Sequence, residues 1–294
     1  MAKVHPTASV SPECELASSV EIGPHCVLTG RVVLHEGVRL IGSTYVQGPT
    51  TIGEGTLIYP FACIGFEPQD YKFAPGSATA GVVIGKNCLI REHATIHAST
   101  RTDRPTTAGD RLFLMVGSHL GHDVQVGNNV VMVNGAGCAG HAEVGDGALL
   151  SGQTGVHQFT RVGRLAMLSG GTAVSMDVPP FCMVPERNRL GALNLVGMRR
   201  AGIPRDQITE TRRAFRDVFR PALPRDEMVA ILRERGRDCP PIMEMAEFVA
   251  SAKRPICPGA GRPPRLFTTF LSYSKRGRAN LEAILAGADE DDDA

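Results

Sequence analysis

With 294 residues, the chain is long enough for one large domain or two small ones, and its 43% hydrophobic residues are enough for a core. A formal net charge of +1 gives no reason to expect nucleic acid or a membrane surface as a partner. The chain has 33 glycines, only 5% aromatic residues and no Trp. This composition suits a thin, repetitive structure filled by medium-sized aliphatic side chains better than a sandwich or a helical bundle.

Cysteine usage and the N-terminus bear on the cellular compartment. The eight cysteines include no CxxC pair and no cluster with the spacing of a zinc site, so we expect free thiols. The N-terminus lacks the apolar run of a signal peptide, and no stretch approaches the roughly 18 apolar residues of a membrane span. We therefore expect a cytoplasmic protein without stable membrane insertion.

An apolar, mostly aliphatic residue recurs every six positions from Val4 to Ile64, again from Ile84 to Ile96, and again from Leu114 to Val174. A period of six fits neither an α-helix nor a hairpin meander. Each hexad is read as one short strand and a turn, and three successive hexads make one coil of the chain. We predict a left-handed parallel β-helix of hexapeptide repeats over residues 1–182. The alternative is a β-sandwich with accidental periodicity.

Two interruptions of the repeat are predicted to leave the β-helix as loops, at about residues 65–81 and 98–110. Such insertions in a solenoid lie on the surface and often line a binding site, although the second loop can also be read as filler. A C-terminal α-helical region is predicted over residues 183–254, with helices opening at Pro204 and Pro224 and a third around Met243. Residues 255–294 are predicted to be a partly disordered tail, with one helix near Leu281.

The coil length turns sequence spacing into geometry, because residues three hexads apart lie directly above one another. His122 is expected to lie one coil below Gly140 and two below Gln158, while Asp123 lies below His141. A histidine next to a carboxylate on a rigid scaffold suits general-base catalysis. Gly140 would let a substrate carbonyl approach a backbone N–H, as an oxyanion requires. Direct attack by a deprotonated hydroxyl fits this cluster better than a covalent intermediate.

Two other interpretations concern metals and arginines. A zinc site is disfavoured, because the close histidine pairs are 93/97 and 119/122, whereas hexapeptide-repeat carbonic anhydrases space their neighbouring ligands by five; we predict no metal and no cofactor. Residues 187–237 hold 13 arginines and six acidic residues. Guanidinium groups suit diphosphates and acidic protein partners, although a solubilising surface is the alternative.

Over residues 4–250 the chain resembles the acyl-carrier-protein-dependent UDP-N-acetylglucosamine O-acyltransferases that begin lipid A synthesis. The segments that carry the resemblance are HLGHD at 119–123, AGH at 139–141, GVHQF at 155–159, DVPP at 177–180, QDYK at 69–72 and TIH at 95–97.

The resemblance implies transfer of a (3-hydroxy)acyl group from acyl carrier protein to the sugar 3-hydroxyl. It implies that His122 is the general base, that Asp123 supports it, and that Gly140 supplies the oxyanion N–H. The substrate-binding positions it implies are Asp70, Lys72, His97, His119, His141, His157, Gln158, Asn194 and Arg200.

The resemblance also implies a homotrimer with the active site between neighbours, and an acyl-chain pocket at Gly170, above Gly152. Two positions depart from the family pattern near the nucleotide: Val196 replaces an acidic residue and Ala201 replaces an Arg, which leaves the nucleotide sugar open. The sibling N-acyltransferase, which carries an extra domain before its coils, and a non-catalytic β-helical scaffold are the alternatives.

Overall fold

The computed structural model describes residues 1–221 and 223–259, and its main feature is a three-sided parallel β-helix. Each coil contributes one short strand to each of three sheets. Sheet 1 has 11 strands: Lys3–Val4, Glu21–Ile22, Arg39–Leu40, Leu57–Ile58, Leu89–Ile90, Phe113–Leu114, Val131–Met132, Leu149–Leu150, Met167–Leu168, Cys182–Val184 and Ala192–Leu193.

The other two sheets complete each coil. Sheet 2 has nine strands: Ser9–Val10, Val27–Thr29, Tyr45–Gln47, Cys63–Phe66, Thr95–His97, His119–Leu120, Gly137–Cys138, Gly155–Val156 and Ala173–Val174. Sheet 3 has eight strands: Glu15–Leu16, Val32–Leu34, Thr50–Ile52, Val82–Ile84, Thr106–Ala108, Gln125–Val126, Glu143–Val144 and Arg161–Val162.

The register between coils follows the predicted spacing. Phe113 pairs with Val131, three hexads further along, and every pairing within these three sheets is parallel except that between the last two strands of sheet 1. The aliphatic hexad residues point into the β-helix and are buried, as with Ile52, Ile64 and Leu114. Burial of each such side chain contributes about 1.5–3 kcal/mol. The predicted parallel β-helix is therefore confirmed.

The two interruptions appear as jumps in the register. Leu57 pairs with Leu89 and Leu89 with Phe113, and both steps are longer than the regular three hexads. The first insertion lies between Phe66 and Val82, as predicted. The prediction of a loop over 98–110 is wrong in its second half, because Thr106–Ala108 is a regular strand of sheet 3 with Ala108 buried inside.

Within the described residues, four helices follow the β-helix. They are α1 (Leu195–Arg200), α2 (Arg205–Phe219), α3 (Arg225–Gly236) and α4 (Pro240–Ala250). Pro204 and Pro224 occupy the N-cap positions of α2 and α3, where a missing N–H costs nothing because the first backbone amides have no partner within the helix. The C-terminal helices are confirmed, and the short α1 was not predicted.

Two arginines of the β-helix hold the helical region. Arg161 bonds the buried Asp177 at 2.9 Å and lies 4.2 Å from the ring centre of Phe248 on α4. Arg164 forms a 2.7 Å ion pair with Glu244 on the same helix. Residues 1–259 form one compact unit. The predicted boundary at 182/183 therefore stays a prediction.

Residues 255–259, predicted to begin the tail, pair with the rest of the chain. Ile256 bridges Asp177, and Gly259 bridges Leu190 in a parallel sense. The remainder of the predicted tail, including the helix near Leu281, lies outside the described residues. The eight cysteines all have free thiols. No helix of the described residues is long and apolar enough to cross a membrane.

Candidate active site

A groove runs along the outer face of sheet 2, next to the corner where each coil turns towards sheet 3. The predicted residues that line it are His119, His122, Gly140, His157 and Gln158. Its floor is open because the outward positions above His119 are Gly137, Gly155 and Ala173 on successive strands. The structure thus brings the predicted catalytic histidine into a groove with space above it.

The corner beside this groove repeats one backbone conformation in three successive coils. Asp123, His141 and Phe159 have φ of 62°, 60° and 60°. Left-handed backbone costs a non-glycine residue roughly 1–2 kcal/mol, and Asp visits it more readily than most. The turn fixes the Cβ direction of each residue, so the three side chains form a column at the edge of the groove.

His122 and Asp123 form the pair that the spacing predicted. Nδ1 of His122 lies 2.8 Å from Oδ2 of Asp123, and the two side chains are 12% and 4% exposed. Burial opposes ionisation of Asp123, but hydrogen bonds from His122, Ser99 and Thr100 outweigh burial and hold the pKa of this carboxyl well below its usual range. An ionised carboxylate accepts only, so it requires a proton on Nδ1 and leaves Nε2 of neutral His122 as a proton acceptor.

The donors that hold Asp123 come from the second insertion and were missed by the sequence analysis. The hydroxyl of Ser99 donates to Oδ1, and Thr100 donates to Oδ2 from its hydroxyl at 2.7 Å and from its backbone N–H at 3.2 Å. Ser99 is fully buried. The sequence contained a signal for this contact. Thr95 pairs with His119, 24 residues later, and the same offset places Ser99 next to Asp123.

Gly140 lies against the ring of His122. A Cβ atom at this position would come within 2.4 Å of the ring, so only glycine leaves room for the imidazole. In the described part of the chain, the N–H of Gly140 has no hydrogen-bond acceptor, whereas its neighbours Ala139 and His141 donate to the adjacent coils. Gly140 therefore offers a free backbone donor beside the histidine.

His119 lies in the floor of the groove below Gly137, and His97 packs against it. Burial, with smaller contributions from the positive forms of His97 and His122, lowers the pKa of His119 to about 4, so its ring is neutral at pH 7. Its Nδ1 lies 2.8 Å from the hydroxyl of Thr95. His97 packs edge-on against it at 5.4 Å and donates from Nδ1 to the carbonyl oxygen of Glu67. That bond ties the first insertion to the groove.

His141 lies above Asp123 in the corner column. Its ring stacks on Phe159 with centroids 4.4 Å apart and planes 5° apart, and it meets the ring of His122 edge-on at 5.0 Å. Burial lowers the pKa of His141, partly offset by the negative charges of Asp123 and Asp70. The ring is thus oriented from both sides, and Phe159 is a second contact that the sequence analysis missed.

The first insertion carries Asp70 and Lys72 beside the groove. Gln69 lines the groove itself. Oδ1 of Asp70 accepts the backbone N–H of Lys72 at 2.9 Å, which closes a local turn. Nζ of Lys72 lies 5.6 Å from the ring centre of the exposed Tyr71. Asp70 and Lys72 therefore lie on the loop whose Gln69 lines the groove.

A metal ion was not predicted, but three candidate ligand atoms lie near one another. His122, Asp123 and His141 each offer one such atom, and the three atoms lie within 4.8 Å of one another. Two ligands on one tetrahedral zinc stand about 3.4 Å apart, given bonds of about 2.0–2.1 Å. The 2.8 Å separation of His122 and Asp123 is shorter and suits a shared proton. The absence of a metal ion stays a prediction, and the short distance between His122 and Asp123 supports that prediction.

Three predicted residues do not join the groove of the same chain. Asn194 and Arg200 line a different groove, over sheet 1, together with Val196 and Ala201. Asn194 is the N-cap of α1: its Oδ1 accepts from the N–H of Gly197 at 2.8 Å, and its Nδ2 donates to the carbonyl of Leu165. Gly170 lies exposed in the corner between sheets 1 and 2.

Comparisons with known proteins agree with one another. The family model described as UDP N-acetylglucosamine O-acyltransferase, domain 2, matches residues 177–257. An acyl-[acyl-carrier-protein]–UDP-N-acetylglucosamine O-acyltransferase of Thermodesulfovibrio yellowstonii is 43% identical over 259 residues, which cover 87% of this chain and 100% of the relative. The enzyme of the same name from Azorhizobium caulinodans is 46% identical, over 87% of this chain and 95% of the relative.

Solved structures give the same result. The UDP-N-acetylglucosamine acyltransferase of Francisella novicida superposes with a TM-score of 0.84 at 32% identity, covering 89% of this chain and 95% of that one. The UDP-N-acetylglucosamine O-acyltransferase of Moraxella catarrhalis superposes with a TM-score of 0.82 at 35% identity, covering 86% and 99%. The similarity therefore spans the β-helix and the helical region together.

Proposed function

The chain belongs to the acyl-[acyl-carrier-protein]–UDP-N-acetylglucosamine O-acyltransferases, and we propose that His122 is the general base of its reaction. Membership makes it an acyltransferase that moves an acyl group from acyl carrier protein to UDP-N-acetylglucosamine, the first step of lipid A synthesis. Because donor and acceptor are both cytoplasmic molecules, we place the reaction in the cytoplasm.

The observation that carries the mechanism is the 2.8 Å contact between Nδ1 of His122 and Oδ2 of Asp123. Asp123 is held ionised by Ser99 and Thr100, so the proton of the neutral imidazole sits on Nδ1 and Nε2 takes up a second proton. The resulting imidazolium is stabilised by the adjacent carboxylate. A positioned base of this kind contributes about 10²–10⁴-fold to the rate.

The proposed step is a direct acyl transfer. Nε2 of His122 removes the proton from the 3-hydroxyl of the sugar, and the hydroxyl oxygen attacks the thioester carbonyl of the donor. Negative charge develops on the carbonyl oxygen, for which the free N–H of Gly140 is the available donor. The carbon–sulfur bond then breaks, and the proton on His122 passes to the leaving thiolate, which restores the base.

The remaining groove residues are proposed to hold the substrates. His119 is neutral and presents a hydrogen-bonding ring at the groove floor, while His97, His141, His157 and Gln158 line or border the same space. The charged Asp70 and Lys72 stand on the adjoining loop. A polar groove next to charged loop residues suits a sugar with its attached diphosphate.

Asn194 and Arg200 support the proposal of a homotrimer. They belong to a groove over sheet 1, whereas His122 belongs to the groove over sheet 2, so one chain alone does not bring them together. A head-to-tail contact that places sheet 1 of one copy beside sheet 2 of the next closes into a ring after three copies if the rotation is 120°. Each site would then take its nucleotide-binding residues from a neighbour.

The outer face of sheet 1 also suits an interface. From its fourth strand to its ninth, the outward column is apolar and none of its members is fully buried in one chain: Leu57, Leu89, Phe113, Val131, Leu149 and Met167. The corresponding column of sheet 3 is mainly polar: Thr51, Val83, Thr107, Gln125, Glu143 and Arg161. An extended apolar column on one face marks a contact surface.

The test of the base is His122→Ala in an assay with UDP-N-acetylglucosamine and acyl carrier thioesters. We expect kcat to fall by about 10²–10⁴-fold with an unchanged thermal midpoint. His35→Ala, an exposed histidine in an early coil, is the matched control and should keep full activity. Near-normal turnover by a folded His122→Ala protein would overturn the mechanism. Light scattering that found a fully active monomer would overturn the trimer.

A further inference from the structure

Arg187 lies at the upper end of the groove that contains His122. The sequence analysis counted it only among the arginines of residues 187–237. In the structure it is exposed and lines the groove beside Ala173 and Ser175. Among the described residues that line this groove, it is the only one with a permanent charge, because the others are neutral side chains or histidines. The groove over sheet 2 therefore has one fixed cation.

The turn that carries Arg187 is fixed to the top of the β-helix. It joins the last two strands of sheet 1. The N–H of Asn188 donates to the carbonyl of Ala173 at 3.3 Å, so Asn188 takes the place of a further coil above sheet 2. The side chain of Asn188 also accepts the N–H of Ser175 at 2.7 Å and donates to its hydroxyl at 2.9 Å. These three bonds hold the backbone next to Arg187 at the end of the groove.

The neighbouring charges leave Arg187 without a partner. The nearest carboxylate in the sequence, Glu186, forms a 2.9 Å ion pair with Arg189 on the same turn. Within residues 1–221 and 223–259, Arg187 itself forms no salt bridge and no side-chain hydrogen bond. A guanidinium presents a planar fork of N–H donors that suits the oxygens of a phosphate group. The turn therefore offers a phosphate-binding group to the groove.

The height of Arg187 above the reacting atoms decides which phosphate it meets. Gly137 belongs to the same coil as Gly140, beside which the reacting carbonyl is proposed to lie. Gly137 pairs with Gly155, and Gly155 pairs with Ala173. The turn of Arg187 lies one level above Ala173. Three levels therefore separate this turn from the reacting carbonyl, which is about 14 Å at about 4.8 Å per level.

The two substrates carry phosphate at different distances from the reacting atoms. An acyl carrier protein holds its acyl group on a phosphopantetheine arm. About 13 bonds separate the thioester sulfur from the phosphorus, which is about 15 Å at the extension of a peptide backbone. The diphosphate of the sugar nucleotide lies within about seven bonds, or about 8 Å, of the 3-hydroxyl. The donor's phosphate therefore fits the height of Arg187, whereas the diphosphate stays closer to the base.

We propose that Arg187 binds the phosphate ester of the phosphopantetheine arm of the acyl donor. This assignment rests on the proposed function, because it takes the carbonyl to react beside Gly140. It gives the upper part of the groove over sheet 2 to the donor, while the acceptor sugar lies at the level of His119 and His122. Arg187 is about three coils away from the reacting atoms, at about 4.8 Å per coil. Its role is therefore in donor binding and not in the chemical step.

Two donor analogues that differ only in the phosphate test the proposal: 3-hydroxyacyl phosphopantetheine and 3-hydroxyacyl pantetheine. Isothermal titration calorimetry of the full chain without UDP-N-acetylglucosamine measures both dissociation constants without any transfer. We expect the wild type to bind the phosphorylated analogue about tenfold more tightly, as one charge-assisted contact provides. Arg187→Gln should abolish this preference and leave the Kd of the unphosphorylated analogue unchanged. Arg187→Lys keeps the charge but not the fork, so it should retain part of the preference.

The matched control is Arg237→Gln, an exposed arginine at the C-cap of α3, which should keep the full preference. A wild type that binds both analogues equally, or an Arg187→Gln protein that still prefers the phosphorylated one, would overturn the proposal. So would a higher KM for UDP-N-acetylglucosamine in Arg187→Gln with an intact donor preference, because Arg187 would then bind the diphosphate of the sugar. These titrations need no turnover, so their outcome is separate from that of His122→Ala.

Discussion

A Cβ atom on Gly140 would lie 2.4 Å from Cε1 and 2.5 Å from Nε2 of His122 in the coil below. Real Cβ atoms do not approach ring atoms so closely, and the backbone of Gly140 is fixed by both neighbouring coils, so the imidazole has to move. Gly140→Ala is therefore expected to tilt the ring away from its position beside Asp123. A displacement of about 1 Å costs an enzyme roughly 10²-fold.

We predict that Gly140→Ala lowers kcat by about 10²-fold and leaves the fold intact. Gly137→Ala is the control for folding, since its added Cβ would meet only the Cβ of His119, at 3.9 Å. The measurements are steady-state kinetics and thermal unfolding of both variants. If Gly140→Ala keeps wild-type kcat, His122 does not act from the position described.

Thr100 shares the negative charge of Asp123 with His122. Removing its hydroxyl in Thr100→Val leaves more of that charge to the Nδ1 proton of His122, which favours the protonated, inactive form of the base. We predict that the acidic limb of kcat/KM against pH moves to higher pH by roughly half a unit, or about 0.7 kcal/mol. Thr100→Ser keeps the hydroxyl and should restore the profile.

The matched control for this shift is Thr107→Val. Thr107 is a half-buried threonine whose hydroxyl donates to Gln125 rather than to Asp123. A variant that only loosened the loop would lower kcat at every pH without moving the limb. If Thr100→Val and Thr107→Val show the same limb as the wild type, the Thr100 hydroxyl does not tune the base.

The repeat predicted the fold and the centre of the site because both depend on a constant coil length. His122 below Gly140 and Asp123 below His141 follow from an offset of 18, and the sheet 2 pairings have that offset from His119 upwards. Ser99 was not predicted, because the insertion that contains it changes the offset to 24 for a single coil. A loop's hydrogen bonds cannot be read from a period that the loop interrupts.

The helical region shows a different limit. The periodic faces of α2 and α3 were visible, but α1 has only six residues, too few to show a period. Its start is set by Asn194, whose side chain bonds both Gly197 and Leu165 in a distant coil. That second bond depends on tertiary contact. The grouping of Asn194 with sheet 1 was therefore beyond a sequence-based prediction.

His119 predicts a pH dependence of stability. Burial lowers its pKa from 6.5 to about 4, so between these values the unfolded chain binds a proton that the folded chain does not. Acid therefore favours unfolding through this residue, and stability rises with pH over that window. When the pH is lowered from 7 to 5, we predict that the free energy of unfolding of His119→Gln falls by about 1–2 kcal/mol less than that of the wild type.

Urea unfolding at the two pH values measures this difference. His25→Gln, an exposed histidine of an early coil, should follow the wild type and serves as the control. Glutamine keeps a hydrogen-bond acceptor near the hydroxyl of Thr95, so the comparison isolates the titration. Identical acid destabilisation of the wild type and His119→Gln would show that the ring is protonated as easily in the folded chain as in the unfolded one.

Gly170 is proposed to set the length of the acyl chain. An added Cβ there would meet only the carbonyl oxygen of Gly152, at 3.5 Å, and one on Gly152 would meet nothing closer than 3.6 Å. Two successive coils thus leave open space along the corner between sheets 1 and 2, above the level of His122. In a trimer this corner would face a neighbour, and the two surfaces would enclose a hydrocarbon chain.

Each methylene buried in such a channel contributes about 0.8 kcal/mol, so the wild type should favour longer donors by roughly fourfold per carbon until the channel ends. We predict a higher kcat/KM for a long 3-hydroxyacyl donor than for a ten-carbon one. Gly170→Met fills the channel and should reverse that order, with Gly170→Ala in between. Because the comparison is a ratio of two donors on one protein, a general loss of activity cancels. A ratio that stays constant across glycine, alanine and methionine would place the end of the acyl chain elsewhere.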